Sequence, residues 1–247
     1  MRKIGIINYK GGTAKTCTAV NIAHGLTLKK QAKVLLVDTD PQGSVASHLG
    51  LNSMYSIYDV LLGAEELSSC IINARVGLDV ICSNNRLYAA EMVLAKSKKK
   101  EMFLTKRLKD VPTYDYVIVD CAPTMNLINQ NALLYVDEIL VPVSMEYLSL
   151  LGVKQLLKNL KILNRIFKKK IIINKVVPTF YDRRNKKSDV IMSSLRRVFP
   201  ANISTPIRTS VSISEAPAWK QTVFEYAPES NGAEDYYKLI EEVVTLV

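Results

Sequence analysis

The chain contains 247 residues, of which 48% are hydrophobic and 23% are charged, and its formal net charge at pH 7 is +10. This composition excludes a disordered or fibrous chain, and no apolar run reaches the roughly 20 residues that a membrane-spanning helix needs. The length fits one large α/β domain, and we expect residues 1–247 to form a single domain.

The four cysteines contain no C-x-x-C pair and have no histidine close by in the sequence, which argues against a zinc site. We expect reduced thiols and therefore a cytoplasmic protein. Cys17 and Cys121 are each compatible with a small buried hydrophobic residue.

Apolar β-rich runs alternate with segments of helical period along the chain. The predicted strands are residues 3–8, 33–38, 78–82, 116–120, 138–142 and 170–177, and the predicted helices are residues 15–28, 86–108, 127–135, 148–166 and 187–198. The strand runs are continuously apolar, as in parallel strands buried on both faces. The pattern predicts a doubly wound α/β fold, with a mostly parallel sheet, helices on both faces and ligands at the carboxyl ends of the strands.

The first predicted strand leads into the stretch NYKGGTAKTCTAVNIA, residues 8–23. A strand, a glycine-rich turn and a helix in this order are the context of a phosphate-binding loop. Main-chain N–H groups of residues 11–16 are expected to converge on phosphate oxygens. Lys15 is expected to contact the β- and γ-phosphates, and the Thr16 hydroxyl is expected to ligate Mg²⁺.

The same stretch lacks both fixed glycines of the standard pattern G-x-x-x-x-G-K-[ST], because Tyr9 and Ala14 stand in their places. An alanine is compatible with the loop if that residue does not need a positive φ.

Two more strands are predicted to end in aspartates, at Asp38-Thr39-Asp40 and at Asp120. Asp120 is expected to hold the water shell of Mg²⁺, and Asp40 is expected to orient the attacking water, since phosphoryl transfer needs mainly positioning and charge neutralisation. Taken singly, each aspartate is equally compatible with a strand-end cap, but their joint occurrence with the loop favours a catalytic site.

Six segments resemble, in order and spacing, the motifs of ParA/Soj-type partition ATPases, the deviant Walker A family that includes MinD. The segments are KGGTAKT, VLLVDTDPQGSVASHLG, YDYVIVDCAPTMNLINQNAL, VPVSMEYLSLLGV, VPTFYDRRNKKS and SISEAPAWKQTVFEYAPESNGAEDYYKLIEEV. The resemblance implies ATP and Mg²⁺ as ligands and an ATP-dependent homodimer. Lys10 matches the lysine that crosses this dimer to the partner's phosphates.

The resemblance also implies the site residues. The catalytic set is Lys10, Lys15 and Asp40. The metal set is Thr16, Asp40 and Asp120. The nucleotide set is Lys10, Gly11, Gly12, Thr13, Ala14, Lys15, Thr16, Cys17, Arg208 and Ser210. The segment 207–210 matches the loop that packs on adenine, although Arg208 and Ser210 replace the family's usual Pro and Asn, and Cys17 replaces its usual Thr.

The charge of the chain is concentrated in one quarter of it. Residues 165–220 hold thirteen Lys or Arg and three acidic residues, whereas the rest of the chain is neutral. Clustered basic residues indicate a polyanionic partner. Arg184 matches a family arginine that binds DNA non-specifically, while a second such arginine aligns with Ser212. We expect a DNA-binding set of Arg183, Arg184, Lys186, Lys187, Arg196 and Arg197, which Arg208 and Lys220 could extend.

Two lysine runs, residues 98–100 and 168–170, are more typical of solvated surface than of a binding site.

The leading interpretation is a DNA-partition ATPase. Its ATP-bound dimers would bind nucleoid DNA and would be released when a ParB-type centromere-binding partner stimulates hydrolysis. The alternatives are a MinD-like positioning ATPase on membranes, a ParA-like regulator of replication or transcription, and a redox protein like the nitrogenase iron protein. The acidic C-terminal segment 236–247 disfavours membrane binding, and the cysteine positions disfavour a metal cluster.

Overall fold

A computed structural model describes residues 1–111 and 113–245, and within these residues a seven-stranded sheet is flanked by eleven α-helices. The strands are β1 (Arg2–Ile6), β2 (Val34–Asp38), β3 (Ile72–Arg75), β4 (Leu78–Ile81), β5 (Tyr116–Asp120), β6 (Glu138–Ser144) and β7 (Ile172–Thr179). The helices are α1 (Lys15–Lys30), α2 (Ser44–Leu49), α3 (Ile57–Leu62), α4 (Leu87–Leu94), α5 (Phe103–Arg107), α6 (Leu127–Tyr135), α7 (Tyr147–Phe167), α8 (Lys186–Val198), α9 (Val211–Glu215), α10 (Val223–Tyr226) and α11 (Asn231–Thr245).

The strand order is β3-β4-β2-β5-β1-β6-β7, and every neighbouring pair is parallel except β3 with β4. Strand β1 lies between β5 and β6, so the loop that follows β1 leaves from the middle of the sheet. The carboxyl ends of β1, β2 and β5 meet at one edge, where Asp38 pairs in register with Asp120. The predicted doubly wound, mostly parallel α/β fold is confirmed.

Both faces of the sheet are covered, which explains the continuously apolar strands. Along β2, Leu35 and Val37 belong to the core beneath α6 and α7, whereas Val34 and Leu36 belong to the core beneath α1 and α11. All four side chains are fully buried. Successive side chains of a strand point to opposite faces, so a strand between two helical layers needs apolar residues at every position.

The single helix predicted over residues 86–108 is wrong. The structure has α4, a turn of 3-10 helix at 100–102, and α5. Lys99 adopts φ 55°, which ends any right-handed helix at that point. The intervening residues 96–100 contain four lysines with no apolar face to bury, and like charges at helical spacing destabilise a helix.

Strand β3 and five helices were missing from the predicted elements, namely α2, α3, α9, α10 and α11. Strand β3 pairs with β4 across a turn in which Gly77 has φ 77°. Helix α11 packs on α1, where Gly25 allows close approach of Ile240. Residues 246 and 247, the end of the segment 236–247 weighed for membrane binding, lie outside the described residues. In the described ranges, no helix is both long enough and apolar enough to cross a bilayer.

Candidate functional site

The loop between β1 and α1 forms the centre of the candidate site. Its backbone turns twice through the left-handed region, with φ 70° at Gly12 and φ 64° at Ala14. Ala14 is the N-cap residue of α1, and its methyl group cannot accept a hydrogen bond from the first helical turn. The free N–H groups of such a turn, together with the helix dipole, favour an anion. The loop thus presents main-chain donors where the sequence predicted a phosphate.

An alanine was expected to be compatible with the loop only if residue 14 does not need a positive φ. The conformation of Ala14 contradicts this condition. Its φ of 64° and ψ of 32° are left-handed. An L-residue with a Cβ adopts this conformation at a cost of about 1–2 kcal/mol, whereas glycine adopts it freely. The loop therefore keeps the glycine conformation with an alanine in place.

Lys15 lies inside the loop instead of extending into solvent. Lys15 is only 7% exposed, and its Nζ donates a hydrogen bond to the Lys10 carbonyl oxygen at 3.2 Å. Burial lowers the pKa of Lys15, while the negative charges of Asp120 and Asp40 act in the opposite direction. The ammonium group is therefore within range of the charges of both aspartates that the sequence singled out.

Lys10 is held at its main chain, and its residue is half-buried. The Lys10 N–H donates to Asn8 Oδ1 at 3.1 Å, and Asn8 Nδ2 donates to the Pro142 carbonyl at the end of β6 at 2.7 Å. Helix α7 packs directly on this segment at Gly152, where an added Cβ would lie 2.6 Å from Asn8 Oδ1 and 3.3 Å from Lys10 Cβ. Asn8 and Gly152 therefore hold in place the backbone from which the Lys10 side chain extends. Neither residue was predicted from the sequence. The only signal in the sequence was the closeness of Asn8 to the glycines.

Asp120 ends β5 and is completely buried. Neither of its carboxylate oxygens has a hydrogen-bond partner within the described structure. Burial raises the pKa of Asp120 to about 7, and the nearby Thr16 hydroxyl and Lys15 ammonium offset this only in part. A buried, unpartnered carboxylate needs a cation or a network of donors.

Asp38 and Asp40 have different surroundings. Asp38 is buried, and its oxygens accept hydrogen bonds from Asp40 N at 2.9 Å and Val45 N at 3.2 Å. Burial, followed by the charge of Asp120, raises the pKa of Asp38. Asp40 is half-exposed and accepts from Gln42 N at 3.0 Å. Asp38 thus shapes the turn that presents Asp40 to the site, a structural role that the sequence pattern did not separate from catalysis.

The donor set fits Mg²⁺. This ion takes few protein ligands and keeps several waters, and it is commonly shared with substrate phosphates. In the described parts of the chain, no group of three or more His, Cys, Asp or Glu side chains could hold a metal by itself. The unpartnered oxygens of Asp120 beside the Thr16 hydroxyl are therefore the group that could hold Mg²⁺ together with a phosphate.

A cavity of about 470 Å³ opens beside the loop. It is lined on one side by the loop and by α1, and on the other by the segment 207–210 that the family resemblance assigned to adenine. The lining includes Gly12, Ala14, Cys17, Arg208, Ser210 and Tyr236. Its volume lies in the range of roughly 300–1,000 Å³ that is usual for small-molecule sites. The structure thus brings the two predicted halves of the nucleotide site together.

Arg208 lines this cavity, but its guanidinium group is bound to α11. It lies 2.6 Å from an Asp235 carboxylate oxygen and 2.9 Å from a Glu234 oxygen, and its main-chain N–H also donates to Asp235. The hydrogen bonds that Arg208 donates to Asp235, and then to Glu234, raise the pKa of Arg208. The side chain therefore fixes the segment 207–210 to the body of the protein, a long-range pairing that the sequence could not reveal.

Cys17 is half-buried at the wall of the same cavity. Asn21 Nδ2 lies 3.4 Å and the Tyr236 hydroxyl 3.5 Å from its sulfur. Burial raises the pKa of the Cys17 thiol. A neutral thiol therefore occupies the position where the resembling family has a hydroxyl.

The basic residues of the predicted DNA-binding set are exposed at the two ends of α8. They are Arg183, Arg184, Lys186 and Lys187 at its start and Arg196 and Arg197 in its last turn. Ten residues of helix separate the two groups by about 15 Å. Arg184 pairs with Asp182 at 2.9 Å, and Lys187 lines a 300 Å³ cavity that Gly12 also lines.

Two further basic residues do not join these groups. Arg208 is paired on α11, and Lys220 Nζ donates to the Ser47 carbonyl at 3.2 Å. Of the residues considered for DNA binding, those grouped together are therefore the ones on α8 and in the turn before it.

Comparison with known proteins shows similarity over nearly the whole chain. The AAA domain family model matches residues 1–173. The sporulation initiation inhibitor protein Soj of Bacillus subtilis is 35% identical over 246 residues, which cover 97% of each chain. The chromosome partitioning protein ParA of Caulobacter vibrioides is 32% identical over 253 residues, covering 99% of this chain and 94% of that protein.

Among solved structures, cobyrinic acid a,c-diamide synthase from Mycobacterium smegmatis with a bound ATP analogue and magnesium superposes with a TM-score of 0.83. It is 27% identical, and the match covers 98% of this chain and 93% of that one.

Proposed function

Because the chain belongs to the ParA/Soj family of partitioning ATPases, we propose that two copies of it close over ATP and Mg²⁺ and that this dimer binds DNA. The chain is an ATPase, and its relatives at 32–35% identity are partitioning proteins. The diamide synthase is less similar, at 27% identity, so partition is the favoured role. We also propose that residues 1–247 form one domain, since one sheet runs through the described chain.

The observation that carries the proposal is the convergence of Lys15, Asp120 and Asp40 at the loop after β1. In the proposed nucleotide complex, Lys15 leaves the Lys10 carbonyl and neutralises the β- and γ-phosphates, while the base occupies the 470 Å³ cavity. Thr16 and Asp120 would hold Mg²⁺, and the bound ion would neutralise phosphate charge. Asp40 accepts a hydrogen bond from the water that attacks the γ-phosphorus, and the products are ADP and phosphate.

The proposed dimer is supported by the surface beside Lys10. The first turns of α7 expose three apolar side chains next to Gly152, which itself packs on Lys10. They are Tyr147, Leu148 and Leu151, which are 72%, 56% and 52% exposed. A second copy on this face would bury these side chains and bring phosphate charge into the interface. Lys10 of one copy would neutralise the phosphates bound by the other, as an arginine finger does elsewhere.

The proposed DNA surface is α8 with the turn before it. Exposed Lys and Arg side chains neutralise phosphates irrespective of sequence, and the resulting affinity falls with salt. Since Lys187 and the phosphate loop line one cavity, a nucleotide-dependent change in the loop has a short path to this surface. We propose nucleoid association of the ATP dimer and release when a ParB-type partner stimulates hydrolysis.

The test is DNA binding measured by fluorescence anisotropy over a range of salt concentrations, with ATP, ADP or no nucleotide. We expect ATP-dependent binding with a steep salt slope. Replacing Arg184, Lys186 and Lys187 together by alanine should flatten the slope by about 2.7 for each copy of the chain that contacts DNA, since each phosphate contact contributes about 0.9.

A matched control replaces three exposed lysines outside α8 by alanine, namely Lys29, Lys33 and Lys109. The control should keep the wild-type slope. Equal slopes for both triple variants would place the DNA surface elsewhere, and ATP-dependent binding to anionic vesicles without DNA binding would favour the membrane alternative.

A further inference from the structure

Two lysine runs that are far apart in the sequence border one groove. Lys98 and Lys99 come from the first run and Lys169 from the second, and Lys106 of α5 joins them. The groove has a volume of about 690 Å³. The sequence pattern indicated a solvated surface for each run, and only the fold brings the two together.

The floor of the groove is apolar. Met102 and Phe103 contribute from the start of α5, Leu134 from the end of α6, and Phe167 from the end of α7. Met102 is exposed, and Phe103 and Phe167 are half-buried, so they keep apolar surface that a ligand could cover. Thr105 also lines the groove, and its hydroxyl has no partner within the described residues.

The rim of the groove is positively charged. Lys98, Lys99 and Lys106 are exposed, and Glu101 is the one carboxylate among the described lining residues. Lys169 is half-buried, donates to the Leu134 carbonyl at 2.6 Å and lies 3.4 Å from an Asp137 oxygen. The field at the rim therefore favours a negatively charged occupant.

The groove lies at the opposite edge of the sheet from the nucleotide site. Helix α6 ends just before the start of β6, and α7 ends just before the start of β7, so the groove is at the amino ends of these parallel strands. The phosphate loop follows the carboxyl end of β1. An occupant of the groove would leave the phosphate loop free and, because α8 begins after β7 ends, the start of α8 free as well.

We propose that this groove binds an acidic, amphipathic segment of a partner protein. Apolar side chains of the segment cover the floor, and its carboxylates pair with the lysines of the rim. A concave apolar floor favours such a segment over DNA, because a phosphate backbone leaves apolar surface uncovered. A recess also fits a lipid surface poorly. The segment would tether a partner to the ATPase independently of the nucleotide state.

The test uses three short fluorescein-labelled peptides and fluorescence anisotropy on the full chain, with and without ATP. The first peptide alternates Glu with Leu and Phe, the second has Ser in place of Leu and Phe, and the third has Lys in place of Glu. We expect saturable binding of the first peptide alone, unchanged by ATP. The double variant Lys98→Glu, Lys106→Glu should weaken it at least about tenfold, because it reverses two exposed charges at the rim.

The matched control is Lys154→Glu, Lys158→Glu, which makes the same charge change on the exposed face of α7. It should bind the first peptide as the wild type does, and thermal unfolding should show that both variants fold. Equal weakening by both variants, or no saturable binding by the wild type, would overturn the proposal. Stronger binding of a DNA duplex or of anionic vesicles than of the peptide, lost in Lys98→Glu, Lys106→Glu, would overturn it in favour of those partners.

Discussion

Replacing Ala14 by glycine is expected to stabilise the protein, because Ala14 holds a left-handed backbone with φ 64° and ψ 32°. This conformation costs an alanine about 1–2 kcal/mol and costs glycine almost nothing. The greater freedom of glycine in the unfolded chain offsets about 0.4–1 kcal/mol of that gain. The net increase in the free energy of unfolding is about 0.5–1 kcal/mol, which raises Tm by about 1–4 °C in a chain of this length.

The matched control is Ala89→Gly, since Ala89 is an exposed residue in the right-handed backbone of α4. There the same chemical change is expected to destabilise the protein by about 0.5–1 kcal/mol. Thermal unfolding followed by circular dichroism, without nucleotide, should therefore shift Tm in opposite directions in the two variants. A fall in Tm for Ala14→Gly as large as that for Ala89→Gly would refute the reasoning.

Three further changes test other parts of the site. Gly152→Ala places a Cβ 2.6 Å from the Asn8 amide oxygen, so we expect ATP binding to persist and ATP-dependent dimerisation to weaken. Wild-type dimerisation in light scattering would contradict this. Asp235→Asn removes the buried carboxylate that binds Arg208, and we expect the free energy of unfolding measured in urea to fall by about 2 kcal/mol. An unchanged unfolding midpoint would contradict this and would show that Glu234 alone is enough to hold Arg208. Burial lowers the pKa of His48 to about 4, below its unfolded value of about 6.5. Folding therefore favours the neutral ring. The free energy of unfolding should be highest above pH 6.5 and should fall by up to about 3 kcal/mol as the pH drops toward 4. The same pH dependence in His48→Gln would contradict that assignment.

The sequence predicted six of the seven strands and the strand-turn-helix context of the candidate site, because both follow from local patterns. Continuously apolar runs indicated buried parallel strands, and the aspartates that follow them had to meet at one edge of the sheet. The glycines and Lys15 indicated the phosphate loop because they lie between a predicted strand and a predicted helix. This local arrangement determines the geometry of the loop.

Features that depend on backbone angles or on long-range contacts were not predictable. The left-handed φ of Ala14 follows from the loop as a whole, and the residue type pointed the other way. The pairing of Arg208 with Asp235 joins residues of different elements. The two lysine runs meet in one groove only because α6 and α7 both end at the same edge of the sheet.

The most direct test of the proposed dimer is the mass of the wild type and of Lys10→Ala in light scattering, with a non-hydrolysable ATP analogue. Nucleotide titration of both proteins runs beside it. We expect the wild type to double its mass from 27.6 kDa on adding the analogue, and Lys10→Ala to bind the analogue while its mass stays at that of one chain. A Lys10→Ala protein that binds the analogue and doubles its mass would contradict the assignment of Lys10 to the partner's phosphates.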